Sequence, residues 1–171
     1  MALSKIQSES IDLADNFAGM RFGGTASDNA FEDYETGSVT LSYAGTSTNP
    51  TVSYAIQSAE YVKIGDFVFI AGRLRTNTVT VGSGGLRITG LPFTVTTGQI
   101  WGIVHMGYIS GWPSDNFPST GYAEPGTTRC DLIKYNSDDP RDERAAGVSA
   151  ASMTTSSAGN DIIFNITYRT A

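Results

Sequence analysis

The chain has 171 residues, 40% of them hydrophobic and only 16% charged, with 19 glycines and a formal net charge of −6. That is apolar material for one sizeable core, and no break in composition divides the chain into two domains. The negative charge repels nucleic-acid phosphates and anionic lipid, which argues against a nucleic-acid role, and the single cysteine, Cys130, excludes an intrachain disulfide and reads as a small buried residue.

Residues 1–30 carry Ile6, Ile11, Leu13 and Phe17 among Ser, Asp and Gly, with neither helical nor strand periodicity. They predict an extended N-terminal arm, either anchored by those residues on another protein or a neighbouring subunit, or a free terminus. The start MALSKIQSES lacks the apolar centre of a signal peptide and no apolar run has the length of a membrane span. A soluble chain made in a cytoplasm, with no membrane insertion, is the expectation.

Residues 31–171 are expected to form the folded domain. Phe31–Gly37, FEDYETG, is an acidic lead-in, and Val39, Leu41 and Tyr43 then alternate with polar residues as a strand with one face inward. After a turn at Gly45–Pro50, Val52, Tyr54 and Ile56 make a second strand able to pair back on the first. The stretch Ala59–Thr76 is the central hairpin, because its two apolar runs meet at Gly65-Asp66, where glycine supplies the positive φ of a two-residue turn. Phe67, Val68, Phe69 and Ile70 follow without a polar break, which predicts a strand covered on both faces. Gly82–Gly85 predicts another hairpin between Val79-Val81 and Leu86-Ile88, and Pro92 in Leu91–Phe93 belongs at a strand end or edge.

Ile100–Ile109 is the next strand. Gly107–Gly126 is too rich in Gly and Pro to be regular and too long for a simple connection, so it is expected to be a functional loop. Thr127–Tyr135 predicts a strand, Ser137–Arg144 a charged surface turn, and the alternation of Ile162, Phe164, Ile166 and Tyr168 a closing strand. Many short strands with turn residues between them predict an all-β fold, here a jelly-roll-like antiparallel β-sandwich, and the lack of a fixed-period repeat argues against a solenoid or propeller.

The order of Phe31-Glu32-Asp33, Glu60–Leu74 (EYVKIGDFVFIAGRL), Gly90–Phe93 (GLPF) and a terminal FNITYRT resembles the small C-terminal domains of bacteriophage tail fibres and related virion proteins. Ser4–Ala18, SKIQSESIDLADNFA, is similar to the arm that precedes such domains in marine and cyanobacterial phages. The chain departs from that pattern at Phe31–Glu35, where members carry a Gly, Thr and Trp stretch, and it lacks a long fibre shaft. The resemblance implies a homotrimeric virion component that touches the host surface.

Catalytic and metal chemistry find little footing. His105, the one histidine, lies in an expected strand without a nucleophile-elbow sequence beside it, and one His with one Cys does not fill a zinc site. Glu32, Asp33 and Glu35 read as an acidic solvated turn rather than a glycosidase pair. Asp138, Asp139, Asp142 and Glu143 lack the spacing and glycine of a calcium loop. No enzyme, cofactor or metal is expected. The Gly107–Gly126 loop offers more: Tyr108, Trp112, Phe117 and Tyr122 are interleaved with Ser114, Asp115 and Asn116. Flat aromatic faces beside polar groups suit a host-surface saccharide; the alternative is that they pack the loop onto the fold or between subunits. Two function classes follow: an adhesin multiplied by trimerisation, or a capsid decoration or tail adaptor of purely structural role.

Overall fold

The computed structural model of the protein describes residues 20–21, 30–31, 34–135 and 145–170. The arm residues Ile6, Ile11, Leu13 and Phe17 and the turn Ser137–Arg144 lie outside the described residues. Before the main domain, β1 (Met20–Arg21) pairs antiparallel with β2 (Ala30–Phe31). The domain is built from β3 (Tyr34–Ser38), β4 (Ser42–Gly45), β5 (Thr51–Ile64), β6 (Phe67–Thr80), β7 (Leu86–Thr89), β8 (Gly102–Ser110), β9 (Thr120–Ala123), β10 (Arg129–Tyr135), β11 (Ala145–Gly147) and β12 (Asp161–Arg169), with one short 3-10 turn at Ala150–Ser152.

The all-β, antiparallel expectation is met, but one sheet forms where a jelly-roll-like sandwich of two was expected. Its strand order is β3-β5-β6-β12-β8-β9-β10-β7-β4, with β11 joined to β10. Laid flat, nine strands at about 4.8 Å spacing would hold the two ends roughly 38 Å apart. Yet β3 and β4, at opposite ends of the path, are joined through Val39–Leu41, and the steps from Ser38 to Ser42 reach about 14 Å at most. The sheet therefore curls into a half-barrel. Irregular pairing in β5–β6 near Tyr54 and in β12–β8 at Ile163/Phe164 adds local twist that aids the curl.

Side chains close the seam between the ends of the sheet. The Tyr43 amide of β4 donates to the Tyr54 hydroxyl of β5 at 2.7 Å, and Gln57 Nε2 donates to the Leu41 carbonyl at 2.9 Å. The core fills the concave side. Val68, Ile70 and Leu74 of β6, Ile162, Phe164, Ile166 and Tyr168 of β12, Val104 of β8 and Leu86 and Ile88 of β7 are all buried there. Gly72 lets the Phe164 ring lie against the β6 backbone, since a Cβ at that position would meet the ring at 2.9 Å.

The central hairpin forms as expected, with Ile64 opposite Phe67 and Gly65 at φ +54. The closing strand also forms, and its four alternate apolar residues are buried. Other pairings differ. Thr51–Ile56 and the first arm of the hairpin are one 14-residue strand, β5, paired with β6 and β3 rather than with β4. The acidic lead-in contributes β3, and the apolar alternation expected over Val39–Tyr43 is interrupted at Val39–Leu41, where the chain crosses from one end of the sheet to the other. The residues around Gly82–Gly85 do not make a hairpin, because β7 pairs with β4 and β10 instead of turning back on β6. Leu91–Phe93 lies just past the end of β7, as expected of a proline. Cys130 is fully buried, and burial pushes its thiol well above the ordinary value. No helix among the described residues is long and apolar enough to cross a membrane.

Candidate interaction surface

Strand alternation puts half of each strand on the convex side of the curled sheet, and there the apolar residues continue. Of the unbroken run Phe67–Ile70, Val68 and Ile70 are buried, whereas Phe67 and Phe69 each keep 47% of their surface exposed. The expectation that both faces of this strand are covered is met on one face only within the chain. Cross-strand register extends this mainly apolar surface into two rows. One runs from Tyr34 through Ile64 to Phe67, and the other from Val62 through Phe69 and Thr167 to Ile103 and Tyr122.

The aromatics of this face are held in place. Phe67 and Phe69 stack at 6.4 Å between ring centres, and the Trp101 ring meets Tyr122 edge-on at 5.1 Å. Arg169 donates to the Asp66 carboxylate at 2.8 Å and places its guanidinium 5.6 Å from the centre of the Phe67 ring. Between these groups lies an open cup of about 270 Å³, lined by Phe67, Ile100, Trp101, Ile103, His105 and Arg169 among others. A second groove of about 460 Å³ crosses from Thr36 and Ser38 of β3 over Val62 and Phe69 to Asn165. Burial, followed by the nearby Asp131 and Glu124 carboxylates, raises the Tyr122 phenol above its ordinary value. At the edge of the sheet Tyr61 donates its hydroxyl to Glu35, which raises the Tyr61 phenol.

The residues singled out between Gly107 and Gly126 are not brought together. Tyr108 is an exposed residue of β8, opposite Ile163 on the convex face, and Tyr122 lies in β9 beside Trp101. The irregular segment is shorter than expected, since β8 runs to Ser110 and β9 begins at Thr120. Within it Trp112 is half-buried, donates from its indole to the Asp161 carbonyl at 3.3 Å and meets the Tyr43 ring edge-on at 5.9 Å. Asn116 is buried, accepting from the Ser149 amide at 2.8 Å and donating to the Ser149 and Ser152 carbonyls. The Asp115 carbonyl accepts from Lys134 at 2.6 Å, and Phe117 keeps 40% of its surface exposed. His105 lies on the convex face, opposite Asn165 and Thr120.

The sequence marked Phe67 and Phe69 only as part of a strand covered on both faces and did not mark Trp101 or Ile103. A signal for them was present: an apolar run without a polar break needs cover on both sides, and a curled sheet supplies only one.

Fold and face together define a class of protein, an all-β module of one curled antiparallel sheet that carries an exposed aromatic surface on its convex side. No family model matches the chain, and no curated protein matches it in sequence. Among solved structures the fold is similar to that of the Dettilon tailspike protein (gp208), with a TM-score of 0.59 and 15% sequence identity over 80% of this chain. The matched part is 24% of the tailspike chain, so the likeness is to a portion of a much longer protein.

Proposed function

We propose that the chain is a module of a phage tail-associated virion protein, spike- or fibre-like, that acts as a homotrimer in attachment to the host surface. The observation that carries this reading is the shared fold with a tailspike over 80% of the chain. The sequence order that resembles tail-fibre domains points the same way by an independent route. In this reading the N-terminal residues 1–30 join the module to other virion proteins through Ile6, Ile11, Leu13 and Phe17. Exposed aromatics such as Tyr108 and Phe117 offer flat faces to a host saccharide, each weak contact multiplied by the copies present. The role is one of binding, without catalysis, metal or cofactor.

A structural role as capsid decoration or tail adaptor is favoured by a different observation. Trp112 and Asn116 spend their polar groups inside the fold, which leaves fewer groups for a receptor. Antibody labelling of the assembled particle separates the two. Label at the distal end of the tail, with the purified full chain binding host cells, is expected; label on the capsid, or a chain that binds no host cell, overturns the attachment reading.

A further inference from the structure

We propose that the convex face of β5, β6, β12 and β8 is the seat of a second copy of this chain, with Phe69 of one copy inserted into the cup beside Trp101 and Ile103 of the next. The inference rests on the self-assembly reading above and adds to it the face and the contact.

Area is the first support. Tyr34, Ile64, Phe67, Phe69, Trp101 and Ile103 each keep between 38% and 62% of their surface exposed on this face. With aromatic side chains of about 150 to 250 Å² each, that is on the order of 500 Å² of apolar surface. A partner in a stable complex contributes about 800 Å², roughly 60% of it apolar, so a patch of this size matches the apolar share of one side of such an interface.

Charge permits a copy at this face. The chain carries a net charge of −6, so two copies repel wherever that charge is unbalanced. Beside the two apolar rows Asp66 and Arg169 pair at 2.8 Å, and Glu60 stands exposed on the same face next to Val62. Among the described residues eight Lys and Arg stand against seven Asp and Glu, so the described fold carries no negative excess to hold a second copy off this face.

Shape supplies the third argument. Phe69 stands on β6 at the edge of the cup of about 270 Å³, which has Phe67 of the same strand as one wall and opens over the neighbouring β12 and β8. Knob and hole thus lie side by side on one face. A contact between unlike patches of identical chains is heterologous and closes as a ring when the rotation allows. Aromatic anchors and arginine are the residues that dominate such interfaces, and Arg169 at the rim of the cup has a guanidinium face to offer an entering ring.

The test uses full-length chains in light scattering and sedimentation. Phe69→Lys removes the knob and Ile103→Lys fills the cup; each is expected to weaken association by about a hundredfold or more while circular dichroism stays that of the parent. Mixed in equal amounts, the two variants are expected to form a one-to-one complex, because the intact Phe69 of one meets the intact cup of the other. A parent trimer untouched by either substitution would leave self-assembly standing and remove this face from it. A parent that is monomeric at micromolar concentration overturns both readings, and variants that stay monomeric on mixing overturn the knob-in-cup contact. Should a lysine variant unfold, Phe69→Ala and Trp101→Ala carry the test. Groups that meet in one contact make the double variant little weaker than the worse single one, whereas fully additive losses overturn the pairing.

Discussion

Gly65 carries more of the fold than its size suggests, because it is where two 14-residue strands reverse. Its φ of +54 lies in the region where a β-branched side chain clashes with its own backbone, while the space around the missing Cβ is empty. Strain and not crowding is therefore what a substitution meets. Gly65→Val is expected to lower stability by about 1 to 3 kcal/mol and Gly65→Asn by much less, since asparagine tolerates the left-handed region. Urea denaturation of the two variants measures this. Equal losses for Val and Asn would locate the cost in packing instead. The neighbouring Asp66 completes the turn, its carbonyl accepting from the Thr170 amide at 2.8 Å and its carboxylate accepting from Arg169.

At the scale of elements, the decisive contact is the seam where β4 meets β5 without a ladder of backbone hydrogen bonds. Tyr54 serves there as the acceptor for the Tyr43 amide, and the two rings stack at 6.1 Å. Tyr43 in turn donates its hydroxyl to the Asn160 carbonyl at 3.0 Å, and Asn160 bonds Thr76 and Thr154 from a left-handed backbone at φ +45. One polar chain thus ties the end of the sheet to the turn before the closing strand, β12. Tyr54→Phe keeps the ring and strips the amide of its partner, an omission that costs about 1 to 3 kcal/mol for a buried donor. Hydrogen exchange at Tyr43 should quicken in that variant well beyond the change at Ile166 in the middle of the sheet. Uniform quickening at both positions would mean that the seam does not open separately.

For the whole molecule, buried phenols set an alkaline limit to stability. Tyr43, Tyr54 and Tyr168 all have phenols raised above the usual 10.0, with burial the largest cause in each. A phenol whose folded value exceeds its unfolded value stabilises the fold fully below the unfolded value, and that stability is lost as pH rises through the folded one. Urea midpoints should therefore hold level, as far as these groups are concerned, up to about pH 9 and then fall steeply above pH 10. Tyr168→Phe, which removes an ionisable group and loses only a long 3.3 Å bond from the Phe93 amide, should flatten the fall. A midpoint unchanged to pH 11 in the parent would show that these phenols ionise without unfolding the chain.

What could be read from the residues was whatever depends on neighbours in the chain. The all-β class, the Gly65-Asp66 hairpin and the closing strand with Ile162, Phe164, Ile166 and Tyr168 inward follow from alternation and turn chemistry, which act over a few residues. Partner choice is different. That β4 joins β7 and not β5, and that β3 and β4 sit at opposite ends of one sheet, depends on closure of a curl built from residues far apart in the chain. The same holds for the surface. Alternation marks Phe67 and Phe69 as sharing a face, but only the curl decides that this face is the convex one, and only tertiary packing draws Trp112 and Asn116 into the fold while leaving Trp101 and Ile103 outside. Periodicity is a local property of the chain, whereas inside and outside belong to the closed sheet.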